Sequence, residues 1–277
     1  MTEAEIPTPE PDRNSSGRFL RGTRSRLHIA ALLRTSGPMT PAVLGKLSVV
    51  CLGIALLLSG CQSVTGFNAV SLVRVIDASY NAPAINVYVE GSLVAANIGQ
   101  GSITTYGGFG PSNNALVKVT AASNSKALIS SNATLLPNKS QSILVTDINA
   151  QYQVVVLEDQ STPAPSGHSE FRILNQAPST GPIDVYFLAG TSATVYATAK
   201  PVITALTVGA TSGYVTIPSS TLYMVIAPAG TVLSTTLTTI YSSAALPLVG
   251  GEVRTVLIVD PQLVTQPVQV YIANDVN

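Results

Sequence analysis

Two cysteines, two histidines and fourteen Asp or Glu are the residues of this chain best suited to chemistry, and their spacing limits what that chemistry can be. His168 sits in Pro-Ser-Gly-His-Ser-Glu, among residues that bend a chain without positioning a base. A Ser-His-Asp triad needs a base held in place. No Gly-x-Ser-x-Gly elbow or His-Glu-x-x-His segment accompanies His168, so it reads as an exposed linker residue. Glu158 and Asp159 are adjacent on an expected strand, point to opposite faces and cannot share one substrate. Asp77, Asn86 and Glu90 can approach one another across a hairpin. A calcium ion would need six or more oxygens, and no Asp-x-Asp-x-Asp-Gly loop supplies them. Asp77 and Asn86 are instead expected to accept loop amides and fix the turn through Ser79-Tyr80-Asn81-Ala82-Pro83. The glycine-rich run Tyr106 to Gly110 has no following basic residue and helix to make a phosphate loop. It reads as a flexible turn with Phe109 dipping into the core. No catalytic residue, metal site or cofactor is expected from these elements, and the enzyme class is disfavoured.

The cysteines carry a different chemistry. A basic residue, Lys46, precedes an apolar run from Leu47 to Gly60, too short to span a membrane and suited to a signal-peptide core. The run ends in Leu58-Ser59-Gly60-Cys61, which resembles the bacterial lipobox. There, small residues let the peptidase close on the backbone and the cysteine thiol takes a diacylglycerol. The resemblance implies cleavage after Gly60 and a lipid anchor on Cys61. A buried apolar segment with a chance cysteine is the competing reading. Gln62 stands where Asp would retain a lipoprotein at the inner membrane, which implies an outer-membrane address in a two-membrane bacterium. Residues 1–38 are basic and Ser-rich, and Met39 opens a signal peptide of ordinary length, so translation is expected to start there. Cys51 lies in the signal core, which leaves residues 62–277 without a thiol, a disulfide or a Cys-type zinc site.

The remaining chain must hold these residues on a scaffold of its own. Hydrophobic residues make up 46% of the sequence and charged residues only 10%, enough apolar surface for one or two packed domains. Residues 1–60 hold seven Lys or Arg against four Asp or Glu, and residues 61–277 hold seven against ten. A charge-poor, slightly acidic body has no electrostatic footprint for nucleic acid. β-branched residues dominate the second half, and short β-type runs alternate with turn signals from Val70 to the end. No later segment shows a capped 3.6-residue apolar stripe.

The runs fall into two copies. Arg74 aligns with Arg172 and Tyr88 with Tyr186, Tyr106 aligns with Tyr214, and Gln153-Val-Val-Val-Leu-Glu-Asp aligns with Gln269-Val-Tyr-Ile-Ala-Asn-Asp. The offsets grow in the loops, as a tandem duplication with insertions should behave. Each copy has the size and strand number of an immunoglobulin-like sandwich. The fold expected is all-β: a signal segment over 1–60, a lipidated tether over 61–68, one sandwich over 69–160, a Pro-bearing linker over 161–168 and a second sandwich over 169–277. Tyr88 and Tyr186 hold equivalent places between valines, which favours packing over ligand binding.

The opening stretch Val-Arg-Val-Ile-Asp-Ala-Ser-Tyr-Asn-Ala-Pro-Ala-Ile-Asn-Val-Tyr, from Val73 to Tyr88, resembles the signature of a bacterial surface and lipoprotein family, domain of unknown function 4397 (DUF4397). That signature has His or Asn where Asp77 stands and Asp where Asn86 stands. The second copy keeps Asn175, Ala177-Pro178, Pro182 and Asp184-Val185-Tyr186. The resemblance implies a β-sandwich, an exported location and no established activity, and it supplies no catalytic residues. Together these features lead us to expect a lipid-anchored envelope protein acting as a binding, adhesion or structural module, with the membrane and an envelope protein or glycan as partners. The rival expectations are a hydrolase acting on envelope glycans through an acid pair, and a subunit of an envelope assembly that uses its edge strands.

Overall fold

The computed structural model describes residues 69–276 apart from 149, 235–238 and 263–266. Strands account for most of that span, and they form four sheets. The first copy contains β1 (Ser71–Asp77), β2 (Ile85–Val89), β3 (Ser92–Ile98), β4 (Gly107–Phe109), β5 (Ser112–Ala121), β6 (Ala127–Leu135), β7 (Ser140–Thr146) and β8 (Gln153–Asp159). They make one sheet in the order β4-β1-β7-β8 and another in the order β3-β2-β5-β6. The second copy contains β9 (His168–Gln176), β10 (Ile183–Leu188), helix α1 (Ala193–Ala197), β11 (Ile203–Leu206), β12 (Val215–Pro218), β13 (Thr221–Pro228), β14 (Tyr241–Ser242), β15 (Leu246–Pro247), β16 (Val253–Val259) and β17 (Gln269–Asn274). Its sheets run β12-β9-β16-β17 and β11-β10-β13-β14, with β15 also on β13.

The same arrangement therefore occurs twice. In each copy the opening strand pairs antiparallel with a short strand and parallel with a late one, β1 with β7 and β9 with β16. Side chains on a strand alternate between faces. Val73 and Val75 of β1 and Ile143 and Val145 of β7 point inward, onto Ile85, Val87 and Val89 of β2 and Val117 and Val119 of β5. Phe171 and Ile173 of β9 do the same against Ile183, Val185, Met224 and Ile226.

The alternate residues of these strands face outward and are buried as well. Ile76, Ala78 and Leu144 of the first copy pack with Leu174, Leu257 and Val259 of the second. The two sandwiches thus join through the outer faces of their parallel strand pairs. This explains the consecutive buried apolar residues Val75-Ile76 of β1, Ile143-Leu144-Val145 of β7, Ile173-Leu174 of β9 and Val256 to Val259 of β16. Strands covered on both faces lose the polar half of the alternation.

The copies differ at one connection. In the first, Glu90 and Gly91 turn β2 directly into β3, both with positive φ, as two-residue hairpins favour. In the second, helix α1 fills that place, with the Ser192 side chain accepting the Val195 amide at its N-terminus. Tyr196 lies with Tyr186, Leu188, Val225, Ala227 and Leu233, and Val195 and Ala199 pack against them. A helix of five residues is too short to print a 3.6-residue stripe in the sequence. The β-type run Val232-Leu-Ser-Thr-Thr-Leu-Thr-Thr forms no strand at residues 232–234, and 235–238 lie outside the described residues.

The Tyr106 to Gly110 run is an edge strand, not the flexible turn its glycines suggest. Gly107–Phe109 pairs with Ser71–Val73, and Phe109 packs against the first core. A Cβ at Gly108 would come within 3.1 Å of Val70 Cγ1, so the glycine answers to close packing rather than to mobility.

Candidate functional site

The densest polar cluster among the described residues lies where the sandwiches meet, and it contains the residues that the two copies share. Arg74 projects outward from β1 with 1% of its surface exposed, and Arg172 projects from β9 with 3% exposed. Each crosses to the other copy. Arg74 Nη2 lies 2.5 Å from Asp275 Oδ1, and its Nη1 donates to the Asn274 carbonyl at 2.9 Å. Arg172 Nη2 lies 2.5 Å from Asp159 Oδ1, and its Nη1 donates to the Glu158 carbonyl at 3.1 Å.

Each carboxylate is also held by its own copy. Asp159 Oδ2 accepts the Tyr106 hydroxyl and the Ser142 hydroxyl, both at 2.6 Å. Asp275 Oδ2 accepts Tyr214 at 2.6 Å and Thr255 at 2.7 Å. The guanidinium carbon of Arg74 lies 4.8 Å from the centre of the Tyr106 ring, and that of Arg172 lies 5.0 Å from the Tyr214 ring. Stacking on an aromatic face suits a flat, weakly hydrated cation. Thr255 additionally accepts from both arginines.

The electrostatics follow from this geometry. Burial works against the charged form of Arg74, and Asp275 and then Asp159 outweigh it, so its pKa is raised. Burial pushes the Tyr106 and Tyr214 phenols far up; the neighbouring arginines oppose this, while Asp159, for Tyr106, and Asp275 reinforce it. Two cations and two anions close within one buried patch, with hydroxyls filling the remaining acceptor positions. A carboxylate so committed holds structure together.

The residues singled out from sequence fall into several places. Asp159 is buried in this cluster, whereas its neighbour Glu158 faces outward and pairs with Lys139 at 2.6 Å, both about half exposed. Asp77, Asn86 and Glu90 are not brought together. Asp77 Oδ1 accepts the Ser79 amide at 2.9 Å and the Ser79 hydroxyl at 2.5 Å. Asn86 does not touch the turn it was expected to fix; its Oδ1 accepts the Asn97 amide on β3 at 2.8 Å. Asp184, the twin of Asn86, accepts the Ala205 amide at 2.7 Å. Asn97 and Ala205 both have positive φ, so this acceptor holds an irregular residue on the neighbouring strand. Glu90 Oε1 accepts the Leu116 amide at 2.5 Å. The turn after Asp77 is fixed from another side, by Asp147, which accepts the amides of Tyr80 and Asn81. His168 is the first residue of β9, with Nδ1 3.0 Å from the Ser166 carbonyl. Among the described residues no group of three or more His, Cys, Asp or Glu is placed to hold a metal ion. Leu58, Ser59, Gly60 and Cys61 lie outside the described residues.

A shallow groove of about 450 Å³ borders the cluster, lined by Lys139, Glu158, Asp159, Gln160, Ser161, Thr162 and Tyr214. It runs over the segment joining the copies and offers amide, hydroxyl and charged groups on its rim. Among the described residues no helix is long and apolar enough to cross a membrane.

Residues 71–186, from β1 into β10, match the model of the family described as Domain of unknown function (DUF4397). The resemblance read from Val73 to Tyr88 falls within that range. No curated protein matches the sequence.

Proposed function

We propose that this chain is a lipid-anchored envelope protein whose paired sandwiches serve as a non-catalytic module for binding or for structure. The observation that carries this reading is where the shared polar residues go. Arg74 and Arg172, Tyr106 and Tyr214, and Asp159 and Asp275 recur in both copies, and all six belong to the network that joins the sandwiches. Neither carboxylate is left to work as one half of an acid pair. That weighs against a glycan hydrolase, which needs one acid to give a proton and another to attack or to activate water. A double sandwich is well made for presenting loops, and the groove around Gln160 and Thr162 is the surface where an envelope protein or a glycan would be met.

The anchoring part rests on Leu58-Ser59-Gly60-Cys61 and on the short stretch between Cys61 and the first strand at Ser71. Such a stretch would hold the body close to the bilayer. Labelling cells with a radioactive fatty acid tests it. Label is expected on the wild-type protein and absent from Cys61→Ser; an unlabelled wild-type protein refutes anchoring. Pull-down of the lipidated protein from envelope extracts, with glycan binding measured on the same sample, tests the module. Release of sugar from envelope glycans by the purified protein would favour the hydrolase instead.

A further inference from the structure

Asp77 and Asn175 are twins, one at the end of β1 and the other near the end of β9, and both are fully buried. Their first oxygens do the same work. Asp77 Oδ1 accepts the Ser79 amide, and Asn175 Oδ1 accepts the Ala177 amide at 3.3 Å. Their second atoms differ. Asn175 Nδ2 donates to the carbonyls of Gly181 at 3.2 Å and Leu206 at 3.0 Å. Asp77 presents an oxygen there, and this Oδ2 is buried without a partner. The strand register gives the matching carbonyl in the first copy: Ile183 pairs with Leu206, and Ile85 pairs with Ile98. A carboxylate oxygen aimed at carbonyls is repelled, whereas a protonated one can donate as an amide does.

No cation is among the groups that act on Asp77, and only the Ser79 hydrogen bonds favour its charged form. From the β7–β8 side it faces Asp147 and the Tyr152 phenol, whose own pKa is raised by burial and then by Asp147 and Asp77. At the β3–β4 turn the Asp77 amide donates to the Ser102 carbonyl, and its carbonyl accepts from the Gly101 amide. Across the joint, Leu174, Leu257, Val259 and the Tyr271 ring surround the adjacent Ala78, and the Tyr271 hydroxyl is engaged with Gln269.

We propose that Asp77 is a proton-dependent lock: protonated on Oδ2 it holds the end of β1 as Asn175 holds the end of β9, and its ionisation loosens residues 78–81 where the sandwiches meet. Burial, opposed by the Ser79 hydrogen bonds and reinforced by Asp147, raises its pKa to about 6. An acid raised in the folded state stabilises below its unfolded value, near 3.8, and loses that contribution as pH rises through about 6.

The test combines carbon-13 NMR titration of the Asp77 carboxyl with denaturant unfolding of the mature protein and of Asp77→Asn from pH 4 to pH 7.5. The carboxyl is expected to titrate near pH 6. The wild-type folding constant is expected to fall about a hundredfold relative to that of the variant across this range. A carboxyl midpoint below about 4.5, or the same pH profile in both proteins, overturns the proposal. Should Asp77→Asn not fold, the wild-type titration alone decides.

Discussion

Arg74 on β1 and Asp275 just beyond β17 close to 2.5 Å across 201 positions of sequence, and Arg172 makes the same contact with Asp159 in the opposite direction. Each sandwich thereby carries the counter-charge of the other. Removing one partner leaves a buried charge uncompensated, which costs about 3–5 kcal/mol. Arg74→Ala and Arg172→Ala should each lower stability to denaturant by about that amount. Because Thr255 accepts from both arginines, the double variant should depart from additivity by more than about 0.5 kcal/mol. Tyr106→Phe and Tyr214→Phe each remove a hydrogen bond to a charged group, Tyr214→Phe also the one its hydroxyl accepts from the Gln160 amide, and should each cost about 1.5–3 kcal/mol.

Gly101 supplies a second contact across the joint, this one steric. Its φ is +85°, and a Cβ there would lie 2.2 Å from the Tyr271 ring. Gly101→Ala should therefore be destabilising on both counts, by upwards of about 1–2 kcal/mol from the backbone alone. Tyr271→Ala in the same chain should recover the steric part and leave the backbone part. Thermal unfolding of the two single variants and the pair separates the contributions. If Gly101→Ala alone unfolds at the wild-type temperature, the contact is wrong.

Tyr88 and Tyr186 occupy twin positions but not twin environments. Tyr186 is 4% exposed beneath α1, whereas Tyr88 is only half-buried on a face that no helix covers. Tyr186→Ala should cost about 3–5 kcal/mol, as truncating a buried aromatic does. Tyr88→Ala should cost about 1 kcal/mol or less. Equal losses in denaturant titrations would contradict the assignment of α1 as the cover.

The residues of the joint were visible in the sequence before their role was. Arg74 with Arg172, and Tyr106 with Tyr214, stand out because they recur in both copies, and recurrence identifies scaffold. What recurrence does not convey is direction: each arginine serves the other copy's carboxylate, and that depends on three-dimensional packing. The strands with apolar runs were legible, because burial on either face selects β-branched residues. β3, β6 and β11 were not. They lie at sheet edges and carry small or polar residues such as Ala95, Ser131 and Ala205, whose alternation is weak. Helix α1 escaped for want of length. The Asp77 turn was anticipated, but its second acceptor, Asp147, lies 66 and 67 residues from the amides it holds and has no local signature.

The exchanged arginines also bear on how such a chain can change over generations. Duplications commonly free one copy to drift, be lost or be traded for another domain. Here the copies share their charges, because deleting either would take from the survivor's arginine its shortest ion pair, Asp275 from Arg74 or Asp159 from Arg172. A change at Arg74 is felt at Asp275, in the other copy, as well as at Ser142 and Asp159 at home. The two halves are thereby tied to each other through their buried charges, whereas the linker and the outer loops lie outside this network.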